Sequence, residues 1–189
     1  MSDPVDYNSN LPASDELLVV AAQSGDIAAF GALVERYEVR MFRYARKFLQ
    51  GHEDIQDLVQ EVFIKAYTNL QSFDTSRRFS PWLYRIAHNE FVNALKQRIR
   101  LPFTLGDIDT ILPQLSYTPD TLGDIDRAAL VASLHTSLGQ LDPRYREPLI
   151  LYYLEELSYR EIADVLGVPV ATVGVRLKRG RTALQKLCL

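Results

Sequence analysis

Apolar positions along this chain recur with the period of an α-helix, and strict alternation nowhere persists long enough to predict a strand. From Asp26, an N-cap residue by type, to about Leu49, one stripe collects Phe30, Val34, Tyr37, Met41, Tyr44, Ala45 and Phe48, and Gly51 fits a stop. The cleanest pattern runs from about Asp54 to Leu70. Ile55, Leu58, Val59, Val62, Phe63, Ala66, Tyr67 and Leu70 there follow the 3–4 spacing of a core-facing stripe through four turns. Ser80 and Pro81 read as an N-cap and an N1 proline, opening a helix to about Ile99. Trp82, Leu83, Ile86, Ala87, Phe91, Ala94 and Leu95 would supply its buried side.

The periodicity fails from Leu101 to Gly123, where Pro102, Gly106, Pro113 and Pro119 interrupt it. It resumes with a helix from Asp124 to about Leu138. A second opens at Asp142 and Pro143 and runs to about Glu156, a short third ends at Gly167, and a last one runs from about Val170 to Leu187. The pattern predicts an all-α protein. Two small helical domains, residues 15–100 and 124–189, are joined by a flexible acidic linker over 101–123.

Charge changes the picture once it is resolved along the chain. The 189 residues carry 21 Lys+Arg against 24 Asp+Glu, a net charge of -3, which taken alone argues against a nucleic-acid binder. Residues 66–100 hold six bases and two acids, however, and so do residues 158–189. The excess acid lies elsewhere: residues 1–35 hold six acids and no base, and residues 101–130 hold five acids and one base. Local charge, not the average, governs binding. The single cysteine, Cys188, permits neither an internal disulfide nor a cysteine zinc site. Met1 to Pro12 has no signal-peptide pattern, and the apolar run Leu17 to Ala22 is too short to span a bilayer. A soluble, cytoplasmic chain with no membrane insertion is expected.

Residues 158–181 carry the most specific local signal. Ser158 and Glu161 match a capping box. Ile162, Ala163 and Leu166 make an apolar face, Gly167 supplies a left-handed turn, and Val173 and Leu177 return to the same core. Two helices joined this way form a helix-turn-helix, whose second helix enters the major groove. From Pro169 to the end there is no acid, while Arg176, Lys178, Arg179 and Arg181 supply cations for phosphates and guanines. The bland alternative is an αα-hairpin with a solvated basic face.

Three segments together resemble the bacterial sigma factors of the extracytoplasmic-function group. Asp57, Gln60, Glu61, Phe63, Ala66 and Tyr67 are similar to that family's region 2.2, and Trp82, Leu83, Ile86, Ala87 and Asn89 to regions 2.3 and 2.4. Residues 158–181 resemble region 4.2. The resemblance implies a two-domain helical protein that joins core RNA polymerase through its clamp helices and flap and directs it to promoter DNA. It also implies an anti-sigma factor as partner. On it, Asp57, Gln60 and Glu61 bind core polymerase. Phe73, Arg77, Arg78, Asn89, Asn93 and Lys96 engage the minus-10 element, and Thr172, Val175, Arg176, Lys178, Arg179 and Arg181 the minus-35 element.

Residue chemistry suits these roles. Asn89, Asn93 and Lys96 form a polar line at i, i+4 and i+7, and Asn side chains read base edges. Phe73 or Phe79 either stacks on a splayed base or belongs to the local core. Lys178 and Arg179 suit direct readout, with Arg176 and Arg181 as phosphate anchors. One departure stands out: family members often place Arg or Lys and then Ser after the Thr-Val pair, where this chain has Gly174 and Val175. The promoter sequence read is therefore expected to be unusual.

Other classes fit less well, among them an interaction module such as an anti-sigma antagonist, which the two basic segments do not support. His52, His88 and His135 have no metal-ligand spacing, and the chain lacks a phosphate loop and a nucleophile elbow, so an enzyme, a metal or a cofactor is not expected. A stand-alone helix-turn-helix regulator would explain residues 158–181 but not 54–93.

Overall fold

The computed structural model describes residues 13–46, 52–99 and 137–187, and among them every regular element is helical. The first group comprises α1 (Asp15–Gln23), α2 (Ile27–Ala45), α3 (His52–Asn69), a 3₁₀ turn (Leu70–Ser72) and α4 (Phe79–Ile99). The second comprises α5 (Pro143–Tyr153), α6 (Tyr159–Leu166) and α7 (Val170–Leu187).

Helix α1 was not anticipated. It has nine residues, too few to show a period, and its start is local chemistry. Ser14 accepts a hydrogen bond from the Leu17 amide at 3.3 Å, and Asp15 and Glu16 face the positive end of the helix dipole. Asp15 then takes Arg36 and Tyr37 of α2, which pins the two helices together. Burial, with the Asp15 hydrogen bond second, pushes the Tyr37 phenol far above its usual range.

Asp26 caps α2 as expected, accepting from the Ala29 amide at 3.2 Å. The buried line is Leu33, Tyr37, Met41, Tyr44 and Ala45, with Phe30 and Val34 half-buried, so Leu33 belongs to the stripe too. The helix stops at Ala45, four residues short of the expectation; Phe48 lies outside the described residues. On α3 the predicted stripe is buried except at its margins. Leu58 is half-buried, and Tyr67 is 48% exposed, leaning its ring edge on Phe30 at 4.9 Å.

Helix α4 starts at Phe79, one residue before the predicted cap. Ser80 sits buried in the first turn, while Glu16 of α1 accepts the Phe79 amide at 3.3 Å. A carboxylate distant in sequence thus does the capping. Pro81 stays within the first turn, where its missing N–H goes unused. Tyr84, His88 and Val92 join the expected buried residues.

In the second group the linker over 101–123 and most of the helix expected from Asp124 lie outside the described residues, which resume at 137. Buried Arg146 donates to the carbonyls of Gly139 at 2.6 Å and Leu141 at 2.8 Å, satisfying a helix end that would otherwise be orphaned. Asp142 caps α5 through the Arg144 amide at 3.0 Å, with Pro143 at N1. Gly180 lets α7 close on α5. A Cβ there would stand 3.0 Å from Leu149 Cδ1 and 3.1 Å from the Tyr145 carbonyl oxygen. The two groups are packed together, with α4 lying against α6.

Candidate nucleic-acid interface

Helices α6 and α7 are set by four local features. The capping box is complete: the Ser158 amide donates to Glu161 at 2.7 Å, and the Glu161 amide donates to Ser158 Oγ at 3.3 Å. Gly167 takes φ 63°, so the chain turns without strain, and the Val168 amide returns to the Ala163 carbonyl at 3.1 Å. Val173 and Leu177 are buried with Ile162 and Leu166. The sequence after Pro169 therefore has one face committed to packing and one free for solvent.

The outward face gathers Val175, Lys178 and Arg179 with Thr182 and Lys186 along one shallow surface. Val175 is 51% exposed. Thr182 and Lys186 were not anticipated, yet they continue the line of Lys178 and Arg179 at helical spacing; following the period past Arg181 finds them. Thr172 and Arg176 are half-buried at the margin. Arg181 stands apart. It is exposed, but it borders an apolar pocket of about 470 Å³ with Ile150, Tyr153 and Leu184 on the α5 side. Its hydrogen bond with Tyr153 raises its pKa further. Arg181 thus leans toward α5 and away from Arg179, although at i+3 it remains a surface neighbour of Lys178. Gly174 has room for a Cβ, 3.7 Å from Tyr159, so the glycine is not required by packing and costs about 1 kcal/mol of helix stability relative to alanine.

The second candidate surface lies between the 3₁₀ turn and α4. Asp74 accepts from the Ser76 amide at 3.0 Å and from its hydroxyl at 2.7 Å, and these bonds hold the Asp74 carboxyl below its usual range. The turn lifts Arg77 and Arg78 into solvent. From α1, Gln23 donates to the carbonyls of Leu70 at 2.8 Å and Phe73 at 3.0 Å, while Gln71 donates back to the Gln23 carbonyl at 2.9 Å. Asn89 and Asn93 are exposed along α4, with Lys96 half-buried at the end of their line.

Phe73 is placed differently from the expectation that it meets a base. It is 7% exposed, its ring 4.9 Å from Trp82 and 6.0 Å from Phe79. Of the two readings left open for the aromatics, the local core holds for both, because three large rings so close in sequence bury more surface against each other than either could against water. Arg85, missed in the sequence, stands with Arg77, Arg78 and Trp82 around a cleft of about 340 Å³. The far wall of that cleft is Glu161 and Asp164 of α6.

On α3, Asp57 and Gln60 are exposed and Glu61 is half-buried. Lys65 does not belong to that open face. It bonds Glu90 of α4 at 2.6 Å and lies 3.6 Å from Glu61, tying two helices together. The hydrogen bond with Glu90 raises its pKa. Among the described residues no group of three or more His, Cys, Asp or Glu side chains could hold a metal ion.

Comparison with known proteins covers both groups. The family description "Sigma-70 region 2" matches residues 33–100, and "Sigma-70, region 4" matches residues 132–184. The RNA polymerase sigma-H factor of Pseudomonas aeruginosa is 36% identical over 179 residues, 91% of this chain and 92% of that protein. The ECF RNA polymerase sigma factor SigW of Bacillus subtilis is 32% identical over 170 residues, 87% of this chain and 91% of that protein. The solved structure of CnrH in complex with the cytosolic domain of CnrY shares 32% identity, covers 93% of this chain and 97% of its own, and superposes with a TM-score of 0.64.

Proposed function

The chain belongs to the sigma-70 family of RNA polymerase sigma factors, in its extracytoplasmic-function group, and from that premise we propose how its surfaces divide the work. The protein joins core RNA polymerase and directs initiation at specific promoters; it is not a stand-alone regulator, since the region 2 match covers what such a regulator would leave unexplained. In our reading residues 15–100 bind core polymerase and the minus-10 element, 101–123 connect, and 124–189 bind the minus-35 element.

The observation that carries this division is the outward face of α7. Lys178, Arg179 and Lys186 stand there with no acid on the helix, while the opposite face is buried. Such a surface attracts phosphates and can pair with base edges. Thr172, Val175 and Arg176 extend the contact, and Arg181 touches a phosphate only from its flank. Around the first cleft, Arg77, Arg78 and Arg85 hold the backbone of the minus-10 strand, and Asn89, Asn93 and Lys96 meet its bases. Phe73 acts from beneath, as the floor on which Trp82 rests.

Asp57, Gln60 and Glu61 form the core polymerase contact. The family acts in transcription initiation and not, as a class, in catalysis, and we assign this chain no reaction of its own. Its place is the cytoplasm; no helix among the described residues is long and apolar enough to cross a membrane. An anti-sigma factor completes the set of partners, as CnrH is held by the cytosolic domain of CnrY.

The core contact is tested with Gln60→Ala and Glu61→Ala together. Affinity for core polymerase, measured by pull-down or fluorescence titration, falls about tenfold or more, while the helical circular dichroism is unchanged. Undiminished affinity contradicts the assignment.

A further inference from the structure

The contact between the two helical groups is built from acids on one side and their partners on the other. Glu147 of α5 is 8% exposed and lies between two side chains of the first group. The Tyr44 hydroxyl donates to its Oε1, and His88 Nδ1 lies 2.7 Å from the same oxygen. Glu155, its side chain 6% exposed, faces Arg40 at 3.8 Å. At the cleft, Arg78 donates to both oxygens of Glu161 at 3.2 and 3.3 Å and to the Glu156 carbonyl at 3.4 Å. Burial first, then the Glu147 carboxylate, pushes the Tyr44 phenol well above its ordinary value. For Tyr84, burial and then Glu155 do the same.

We propose that α6 walls off the minus-10 cleft, its Glu161 carboxylate held by Arg78 where a nucleic-acid phosphate would bind and Asp164 lining the same wall, and that Glu147, seated between Tyr44 and His88, locks it there. This rests on the reading of the cleft as the minus-10 surface. Carboxylate and phosphate oxygens compete for guanidinium donors, and Glu161 already holds Arg78 Nη1. Scale leads to the same conclusion. Positions -10 and -35 are about 25 base pairs apart, or about 85 Å of duplex at 3.4 Å per pair. A compact chain of this length has a radius of gyration of about 16 Å. The closed form therefore cannot hold both elements, and release of the lock is a required step, not an incidental motion.

Spin labels at Thr68→Cys and Gln185→Cys, in a Cys188→Ser background, report the separation of the two groups in the full chain. The free wild type gives one short, narrow distance distribution, and Glu147→Ala shifts it to longer, broader distances. The same variant binds a labelled mixed-sequence single-stranded oligonucleotide at least tenfold more tightly than wild type, about 1.4 kcal/mol. Glu155→Ala moves both readouts the same way by less. Long, broad distances in the wild type overturn the lock whatever the variants do. Opening without tighter oligonucleotide binding overturns the occlusion. The minus-10 reading is judged separately, by transcription from the Asn89→Ala, Asn93→Ala protein, which leaves the lock residues in place.

Discussion

Alanine at both Lys178 and Arg179 is expected to lower promoter-specific transcription about 100-fold. Both side chains are exposed in the middle of the outward face of α7, between Val175 and Thr182. A base-reading contact discriminates by about 1–3 kcal/mol, so losing two well-placed cations removes about 3 kcal/mol, close to two powers of ten. Neither side chain packs in the core, so thermal unfolding should move little. Arg181→Ala is the internal control. It carries the same charge two residues on but stands beside Tyr153, so its loss should cost only a few-fold. Initiation is read on a duplex carrying the full promoter, with saturating core polymerase. A loss at Arg181 as large as that of Lys178→Ala or Arg179→Ala alone would mean that net charge, not the arrangement of the face, sets binding.

Phe79→Ala is expected to cost about 3–5 kcal/mol of stability in the first helical group. The ring is 1% exposed and stands 5.6 Å from both Tyr37 and Trp82 and 6.0 Å from Phe73. Its backbone amide is the one Glu16 caps, so the position joins α1, α2 and α4 at one point. Small domains have only about 5–15 kcal/mol to lose. Urea unfolding followed by Trp82, the chain's one tryptophan, should show the midpoint falling by about 2 M, given a slope of about 1–3 kcal/mol per M. A shift below about 0.5 M would mean that the ring belongs to a surface that rearranges freely, and would reopen its role as a base-stacking group.

What could be read in advance divides by distance along the chain. The Asp26, Asp142 and Ser158 caps, the Gly167 turn and most of the α3 stripe involve partners within a few residues, and all stand in the structure. Helix α1 leaves no periodic trace in the sequence because nine residues hold too few turns for a period, although Ser14, Asp15 and Glu16 spell an N-terminus. The start of α4 was displaced by one residue because Glu16, 63 positions away, caps it instead of Ser80. Tyr67 follows the apolar spacing yet lies at the margin of the stripe, where the phenol can stay wet. The candidate site divides the same way. The α7 cations were legible because a helix face is periodic, and continuing that period would have added Thr182 and Lys186. Arg181 lies on the same helix and shares their charge, but it leans toward α5, an orientation that its charge does not reveal.

The contact between the two groups was invisible for a deeper reason. Tyr44 and Glu147 meet across 103 residues, and nothing local marks either as a partner of the other. A carboxylate that follows Arg144 and Arg146 in the first half of α5 looks, in sequence, like ordinary helix surface. Only the packed structure shows that it fills a site made by Tyr44 and His88. The net charge of -3 gains a meaning from this arrangement. The acids of the second group do more than dilute the bases; some stand directly against the cations of the first. Free DNA binding is weak in this account both because the chain is acidic overall and because one of its two basic surfaces is covered.

Run-off transcription on genomic fragments, with bacterial core polymerase in the presence and absence of this protein, tests the central claim most directly. The account predicts discrete transcripts that depend on both the protein and core and that vanish with the Lys178→Ala, Arg179→Ala variant. No promoter-specific transcript with the full-length protein and active core would contradict it.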